Sequence, residues 1–228
     1  MKQRTIDLAI FDMAGTTIDE DNIVYKTVQQ SIQQAGFSVD LETVLLYGAG
    51  KEKLKAIRDI LLQISDFKVP EADIQAIFAD FKIRLNKAYA RGQFTEQPGA
   101  TALFEQLKAD GIFVALNTGY ERAVADVLLA KLGWDTSDLI GCSVTADDVE
   151  NGRPAPDMIH KAMAHFGITN PERVLKIGDS IIDIEEGQNA ECGVTLGITT
   201  GAHTAEQLQS ANPNAVIGHL SQVYNWVM

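Results

Sequence analysis

Two cysteines, Cys142 and Cys192, are all the thiols in 228 residues, and they have neither C-x-x-C spacing nor a secretory context. A disulfide framework and a zinc ribbon are excluded, and both thiols are expected to be reduced and buried. Long hydrophobic runs are also lacking. No stretch approaches the roughly 18–20 apolar residues of a membrane span. The stretch from Ile6 to Phe11 is too short and too acidic for a signal peptide, so a cytoplasmic protein is expected. Basic residues are scarce: 19 Lys and Arg against 31 Asp and Glu leave a formal net charge of −12. Such a surface repels a phosphate backbone and anionic lipid, which argues against nucleic-acid and membrane partners. An anionic substrate would need positive charge built locally. What is present is ordinary globular composition, 46% hydrophobic and 22% charged, which excludes disordered and fibrous classes. The length fits one domain of ~100–200 residues plus a sizeable insertion.

Short apolar segments bounded by turn residues recur at Ile6 to Phe11, Ile112 to Asn117, Leu139 to Val144, Val174 to Ile177, Val194 to Ile198 and Ala215 to Ile217. They read as buried strands alternating with helical periods at Glu121 to Leu132 and Pro156 to Phe166, which predicts an α/β fold on a doubly wound parallel sheet. Between about Ile18 and Arg91 no comparable strand occurs. Helical periodicity runs over Ile23 to Ala35, Leu41 to Tyr47, Lys51 to Ile64 and Glu71 to Ala90. The expected organisation is therefore a Rossmann-like core of residues 1–17 and 92–228 with a helical domain, residues 18–91, inserted above the first strand's C-terminal end. Ligands of open α/β sheets bind at that edge.

Four segments carry chemistry. Asp12 ends the first strand and opens the small-residue turn Met13-Ala14-Gly15-Thr16-Thr17; alone it also fits ordinary turn chemistry. Thr118-Gly119 ends the second strand with a hydroxyl and backbone N–H groups suited to oxyanions, or to a helix N-cap. Gly152-Arg153-Pro154-Ala155-Pro156 holds an Arg in a stiff loop, suited to a bidentate grip on a phosphoryl group or simply solvated. Asp179 and Asp183 stand one helical turn apart at the end of a strand. They could serve Mg²⁺, which prefers oxygen ligands, or be an N-cap acid and a surface acid.

In this order the segments resemble the haloacid dehalogenase superfamily over the whole chain. The resemblance implies that Asp12 attacks phosphorus, that Thr118 and Arg153 act on the transferring group, and that Gly15, Thr16 and Gly119 contact substrate. It also implies a Mg²⁺ site drawn from Asp12, Ala14, Asp179 and Asp183, with Asp183 behind the others. Most phosphatases of the superfamily carry a second Asp where this chain has Ala14. Without that acid an alkoxide would leave unprotonated, at a cost of about 10²–10⁴ in rate.

One subgroup, the phosphonatases or phosphonoacetaldehyde hydrolases, shares the Ala. It is similar here in Asp12 to Thr17, Thr118-Gly119-Tyr120 and Asp147 to Pro154, with Arg153 where other members have Lys. In that subgroup a cap Lys forms a Schiff base with the substrate, and its Gly-x-x-Lys maps onto Gly48-Ala49-Gly50-Lys51. Lys51 is expected at a helix N-terminus with Lys55 one turn on, both of which depress an amine's pKa; a solvated basic face is the alternative. Leu54 and Asn22 depart from the subgroup's His and Cys.

The expected function is hydrolysis of the C–P bond of a small 2-oxoalkyl phosphonate through Asp12, Lys51 and Mg²⁺. A phosphatase for small phosphate monoesters and a non-catalytic phosphate-binding module are the other readings. The apolar stripe Ile74, Ile77, Phe78, Phe81 and Leu85 could serve a homodimer or packing within the chain. His160, His165, His203 and His219 make no metal pattern.

Overall fold

The computed structural model describes residues 5–66, 68–92 and 94–227. Residues 1–4, Gln93 and Met228 of the expected core segments, and Phe67 of the expected insertion, lie outside the described residues.

The chain enters through β1 (Leu8–Asp12), a strand buried along its whole length. Leu8 and Ile10 point to one face of the sheet, Ala9 and Phe11 to the other, and each pair joins a different apolar cluster. A strand covered on both faces reads as an unbroken apolar run, which is why this segment is legible in the sequence. A two-residue strand, β2 (Ile18–Asp19), leads into four helices: α1 (Ile23–Gln34), α2 (Leu41–Gly48), α3 (Lys53–Ile64) and α4 (Glu71–Arg91). The chain returns through β3 (Thr95–Glu96), which pairs antiparallel with β2. This ribbon, invisible in the sequence because two residues carry no periodicity, sits at the base of the insertion.

The core continues with α5 (Ala100–Ala109), β4 (Phe113–Thr118), α6 (Arg122–Leu132), β5 (Cys142–Thr145), α7 (Asp157–Phe166), β6 (Val174–Gly178), α8 (Ile181–Asn189), β7 (Val194–Ile198), α9 (Ala205–Ser210) and β8 (Ala215–Ile217). The six-stranded sheet is ordered β5-β4-β1-β6-β7-β8, and every pairing in it is parallel. After β1 the chain builds outward on one side through β4 and β5, then crosses to β6 on the other. The reversal leaves a crevice at the C-terminal end of β1, where such folds bind ligands. Phe11 meets the edge of Phe104 on α5 with ring centres 5.2 Å apart, and Phe104 meets Trp134 at 5.3 Å, so aromatic packing fixes α5 beneath the sheet.

The α4 stripe is largely consumed inside the chain: Ile74, Ile77, Phe81 and Leu85 are all buried, and Phe78 is half-buried. Among the described residues no helix is long and apolar enough to cross a membrane. Cys142 and Cys192 are free and only half-buried. Burial raises their thiols to about 11 and about 12 respectively. His160 and His165 are exposed on α7.

Candidate active site

The strand ends bring Asp12, Thr118, Arg153, Asp179 and Asp183 to the crevice, all of them buried. The guanidinium of Arg153 organises it. Nη1 donates to Asp12 Oδ1 at 2.8 Å and lies 2.9 Å from Asp183 Oδ1. Nε donates to Glu186 Oε2 at 3.0 Å, and Nη2 donates to the Asn117 carbonyl and Oδ1 at 3.0 and 2.8 Å. Five N–H groups are all that an arginine has, and acceptors of the protein take them. The expected bidentate grip on a phosphoryl group is therefore not what this geometry offers. Arg153 instead aims and neutralises Asp12.

Behind it lies a fully buried amine, Lys176, donating to Asn117 Oδ1 at 2.8 Å and Asp183 Oδ1 at 2.9 Å. Asn117 Nδ2 in turn donates to both Glu186 oxygens. Sequence reasoning gives Asn117, Lys176 and Glu186 no role. A lysine inside the apolar strand Val174 to Gly178 is nevertheless a visible signal, since a buried ammonium needs carboxylate partners.

Carboxylate oxygens of Asp12, Asp179 and Asp183 lie within 4.8 Å of one another. Burial, then the charge of Asp183, raises Asp12 to about 6 against the pull of Arg153 and Lys176. Burial, then Asp12 and Asp183, raises Asp179 well above the usual carboxylate range. Burial also pushes Asp183 upward, but Arg153 and Lys176 outweigh it and hold the group low.

The four buried acids Asp12, Asp179, Asp183 and Glu186 face two buried cations, Arg153 and Lys176, which leaves two negative charges uncompensated. An all-oxygen donor set with a deficit of two fits a hard divalent cation such as Mg²⁺. The backbone approaches closely enough to cradle Asp179: a Cβ at Gly15 or Gly201 would collide with its carboxylate. Asp183 is held by Ser180 Oγ at 2.5 Å as well as by the two cations, which sets it behind Asp12 and Asp179. Ala14 is buried and has only backbone to offer.

Among the substrate-contact positions, the amides of Gly15 and Thr16 already donate to the carbonyls of Ile18 and Met13. The buried Thr16 hydroxyl has no partner and is the free donor of that turn. Thr118 Oγ1 accepts from the Tyr120 amide at 3.2 Å.

The insertion closes on this crevice through Gly48 to Lys51. A Cβ on Gly119 would stand 2.6 Å from the Gly50 carbonyl, and one on Gly50 would stand 2.6 Å from Ser180 Oγ. Only bare backbone fits there. Gly50, at φ 70°, donates its amide to the Tyr25 hydroxyl at 3.1 Å.

Lys51 does not point into the site: its amine forms an ion pair with Asp59 at 2.6 Å, shared with Lys55 at 2.8 Å. The reason is the helix boundary. Glu52 caps α3 by accepting from the amides of Leu54 and Lys55, so the helix begins at Lys53, two residues later than expected, and the N-terminal amine is that of Lys53. It is buried beside the rings of Tyr120 and Tyr25, 5.0 and 5.5 Å from their centres, and donates to the Lys51 carbonyl. Burial lowers its pKa to about 8, with Glu52 and Asp12 opposing and Arg153 assisting.

A second group without a sequence signal is Glu20, buried between β2 and α1. It accepts from the Tyr120 hydroxyl at 2.8 Å and the Tyr89 hydroxyl at 2.9 Å. Burial raises it to about 7 against those hydrogen bonds and the charge of Lys53. Its partners lie 100 and 69 residues away, beyond any local pattern.

Comparison with known proteins agrees with this architecture. The family model of haloacid dehalogenase-like hydrolases matches residues 9–196. A phosphonoacetaldehyde hydrolase of Latilactobacillus sakei is 32% identical over 213 residues, spanning 85% of this chain and 75% of the relative. A solved phosphonoacetaldehyde hydrolase-like protein from Oleispira antarctica superposes with a TM-score of 0.83 at 25% identity, covering 98% of this chain and 91% of that one. A hydrolase from Pseudomonas syringae gives 0.83 at 20% identity over 98% and 97%. With a buried Asp at the end of β1, acids after β6 and inserted helices between β1 and β4, the chain belongs to the haloacid dehalogenase-like hydrolases.

Proposed function

We propose that the protein is a Mg²⁺-dependent, phosphonatase-like hydrolase that breaks the C–P bond of a small 2-oxoalkyl phosphonate. One juxtaposition carries the reading: a buried amine, Lys53, within electrostatic reach of Asp12, and a methyl group, Ala14, where the leaving group's proton donor would stand. Relatives named phosphonoacetaldehyde hydrolase support it. Lys53 takes the role for which sequence alignment offers Lys51.

The neutral amine of Lys53 adds to the substrate carbonyl, water leaves, and the imine takes a proton from solvent to become the cationic imine. Asp12, aimed by Arg153, attacks phosphorus. The C–P bond breaks, and its electron pair passes to the imine nitrogen as an enamine, so the departing carbon needs no proton in that step. The enamine carbon then takes a proton from water, and water hydrolyses the imine and the aspartyl phosphate, returning Lys53 and Asp12. Thr118 and the free hydroxyl of Thr16 contact the phosphoryl oxygens, and Gly119 gives them room. Asp12, Asp179 and the Ala14 backbone, with Asp183 behind them, would hold a divalent cation, which would supply charge neutralisation for this encounter of anions.

The competing reading, a phosphatase for a small phosphate monoester, draws on Glu20 as a protonatable carboxyl. Both oxygens of Glu20 are held by tyrosines, which disfavours it. Reduction with borohydride during incubation with phosphonoacetaldehyde is expected to leave a mass-spectrometric adduct on Lys53, lost in Lys53→Ala. An adduct on Lys51 would overturn the assignment of Lys53. Brisk hydrolysis of phosphate esters by Lys53→Ala, with no adduct from any carbonyl phosphonate, would overturn the C–P reading.

A further inference from the structure

A cavity of about 400 Å³ opens between α4 and the start of α6, and the buried Lys53 and Gly119 are among the residues that line it. Its buried lining is otherwise Phe81, Leu85, Tyr89 and Tyr120. The polar residues that solvent reaches, Glu52, Lys82, Asn86, Glu121 and Lys131, are distinct from that buried wall. A two-carbon aldehyde leaves nearly all of this space empty, since ~150 Å³ already accommodates benzene.

The chemistry of the wall is specific. Tyr89 and Tyr120 both donate their hydroxyl protons to Glu20, so toward the cavity they offer ring rather than donor. Phe81 and Leu85 add only hydrocarbon. A polyol entering here would exchange its bonds to water for a surface that returns few of them. A hydrocarbon chain would lose nothing and would remove apolar surface from water. Among the described residues, the one ammonium on the buried wall is Lys53, which feels the charge of Asp12.

We propose that this cavity is the subsite for an apolar substituent on the substrate's carbonyl carbon, and that the substrate is a 2-oxoalkyl phosphonate bearing an aliphatic or aromatic chain of several carbons. The proposal rests on the function proposed above. The carbonyl meets Lys53, the phosphoryl group lies toward Asp12, and the substituent runs outward between α4 and α6. Glu20 shapes the subsite by holding the two tyrosine hydroxyls away from it.

The test separates binding from chemistry. Calorimetry of the Mg²⁺-loaded protein with methyl-, butyl- and 4-phenylbutylphosphonate, which have no carbonyl and cannot react, is expected to show affinity rising along the series. The rise should approach about fourfold per buried methylene. An affinity that is flat or falls from methyl to phenylbutyl overturns the proposal. Val124→Phe and Val127→Trp, which narrow the cavity from α6, are expected to cut the butyl-to-methyl affinity ratio at least fivefold. A ratio taken within one variant does not move if part of the protein is unfolded, and an unchanged ratio in both variants counts against the subsite. If the series rises as expected while no carbonyl phosphonate leaves an adduct on Lys53, the subsite stands and the C–P reading fails. If an adduct forms while the series is flat, the C–P reading stands and the subsite fails.

Discussion

Lys53 and Glu20 owe their chemistry to burial, which penalises charge on both. An amine with a pKa of about 8 is neutral to a useful extent near pH 8, whereas a surface lysine needs pH above about 10. The rate of borohydride-trapped adduct formation is expected to rise with a midpoint near pH 8. A midpoint above 10 would show that Lys53 is solvated when it reacts. For Glu20 the folded pKa of about 7 lies above the ordinary 4.5. The folded state therefore binds the proton more tightly, and the stability this confers is complete below pH 4.5 and lost as pH rises through 7. The loss amounts to about 3 kcal/mol. Urea unfolding at pH 5 and pH 8 is expected to show a decline smaller by most of that amount for Glu20→Gln than for the unchanged protein, and equal declines would contradict the burial.

At the scale of elements, the close fit between the insertion loop and the end of β4 depends on glycine. Gly119→Ala places a methyl 2.6 Å from the Gly50 carbonyl, and backbone cannot yield as a side-chain tip does. The expected outcome is a fall in kcat/KM of about tenfold or more with a melting temperature little changed, because the clash bears on closure rather than on the core. The Arg153 loop behaves differently. Arg153→Met would strand Asp12, Asp183 and Glu186 with only Lys176 to offset them, and removing one partner of a buried charge cluster costs about 3–5 kcal/mol. Chemical denaturation measures that loss directly. The start of α3 shows how small a shift in an element changes which amine is buried: Glu52 as the cap places Lys53, not Lys51, at the boundary with the core.

At the scale of the whole molecule, the sheet and its insertion share one electrostatic problem. A chain of net charge −12 gathers three carboxylates within 4.8 Å, and that arrangement is costly until a cation occupies it. Mg²⁺ is therefore expected to raise the melting temperature, by an amount equivalent to about 2.7 kcal/mol at a hundredfold excess over its dissociation constant. Asp179→Asn should be more stable than the unchanged protein without Mg²⁺ and should respond less to it. A melting temperature indifferent to Mg²⁺ in the unchanged protein would remove the cation from the site.

The sequence by itself determined the parallel sheet, the helical insertion and the positions of Asp12, Thr118, Arg153, Asp179 and Asp183. Each belongs to a local signal, either an apolar strand that stops at a polar residue or an amphipathic period that begins after one. The resemblance to the superfamily also marked Ala14, because most of its phosphatases carry an acid at that position. Only the tertiary structure decided which amine is buried, that the donors of Arg153 are already taken, and that Glu20 meets two tyrosines. Burial and pairing of charges arise between residues that are tens of positions apart in the chain. Neither composition nor periodicity encodes such distances, whereas packing of the insertion onto the sheet fixes them.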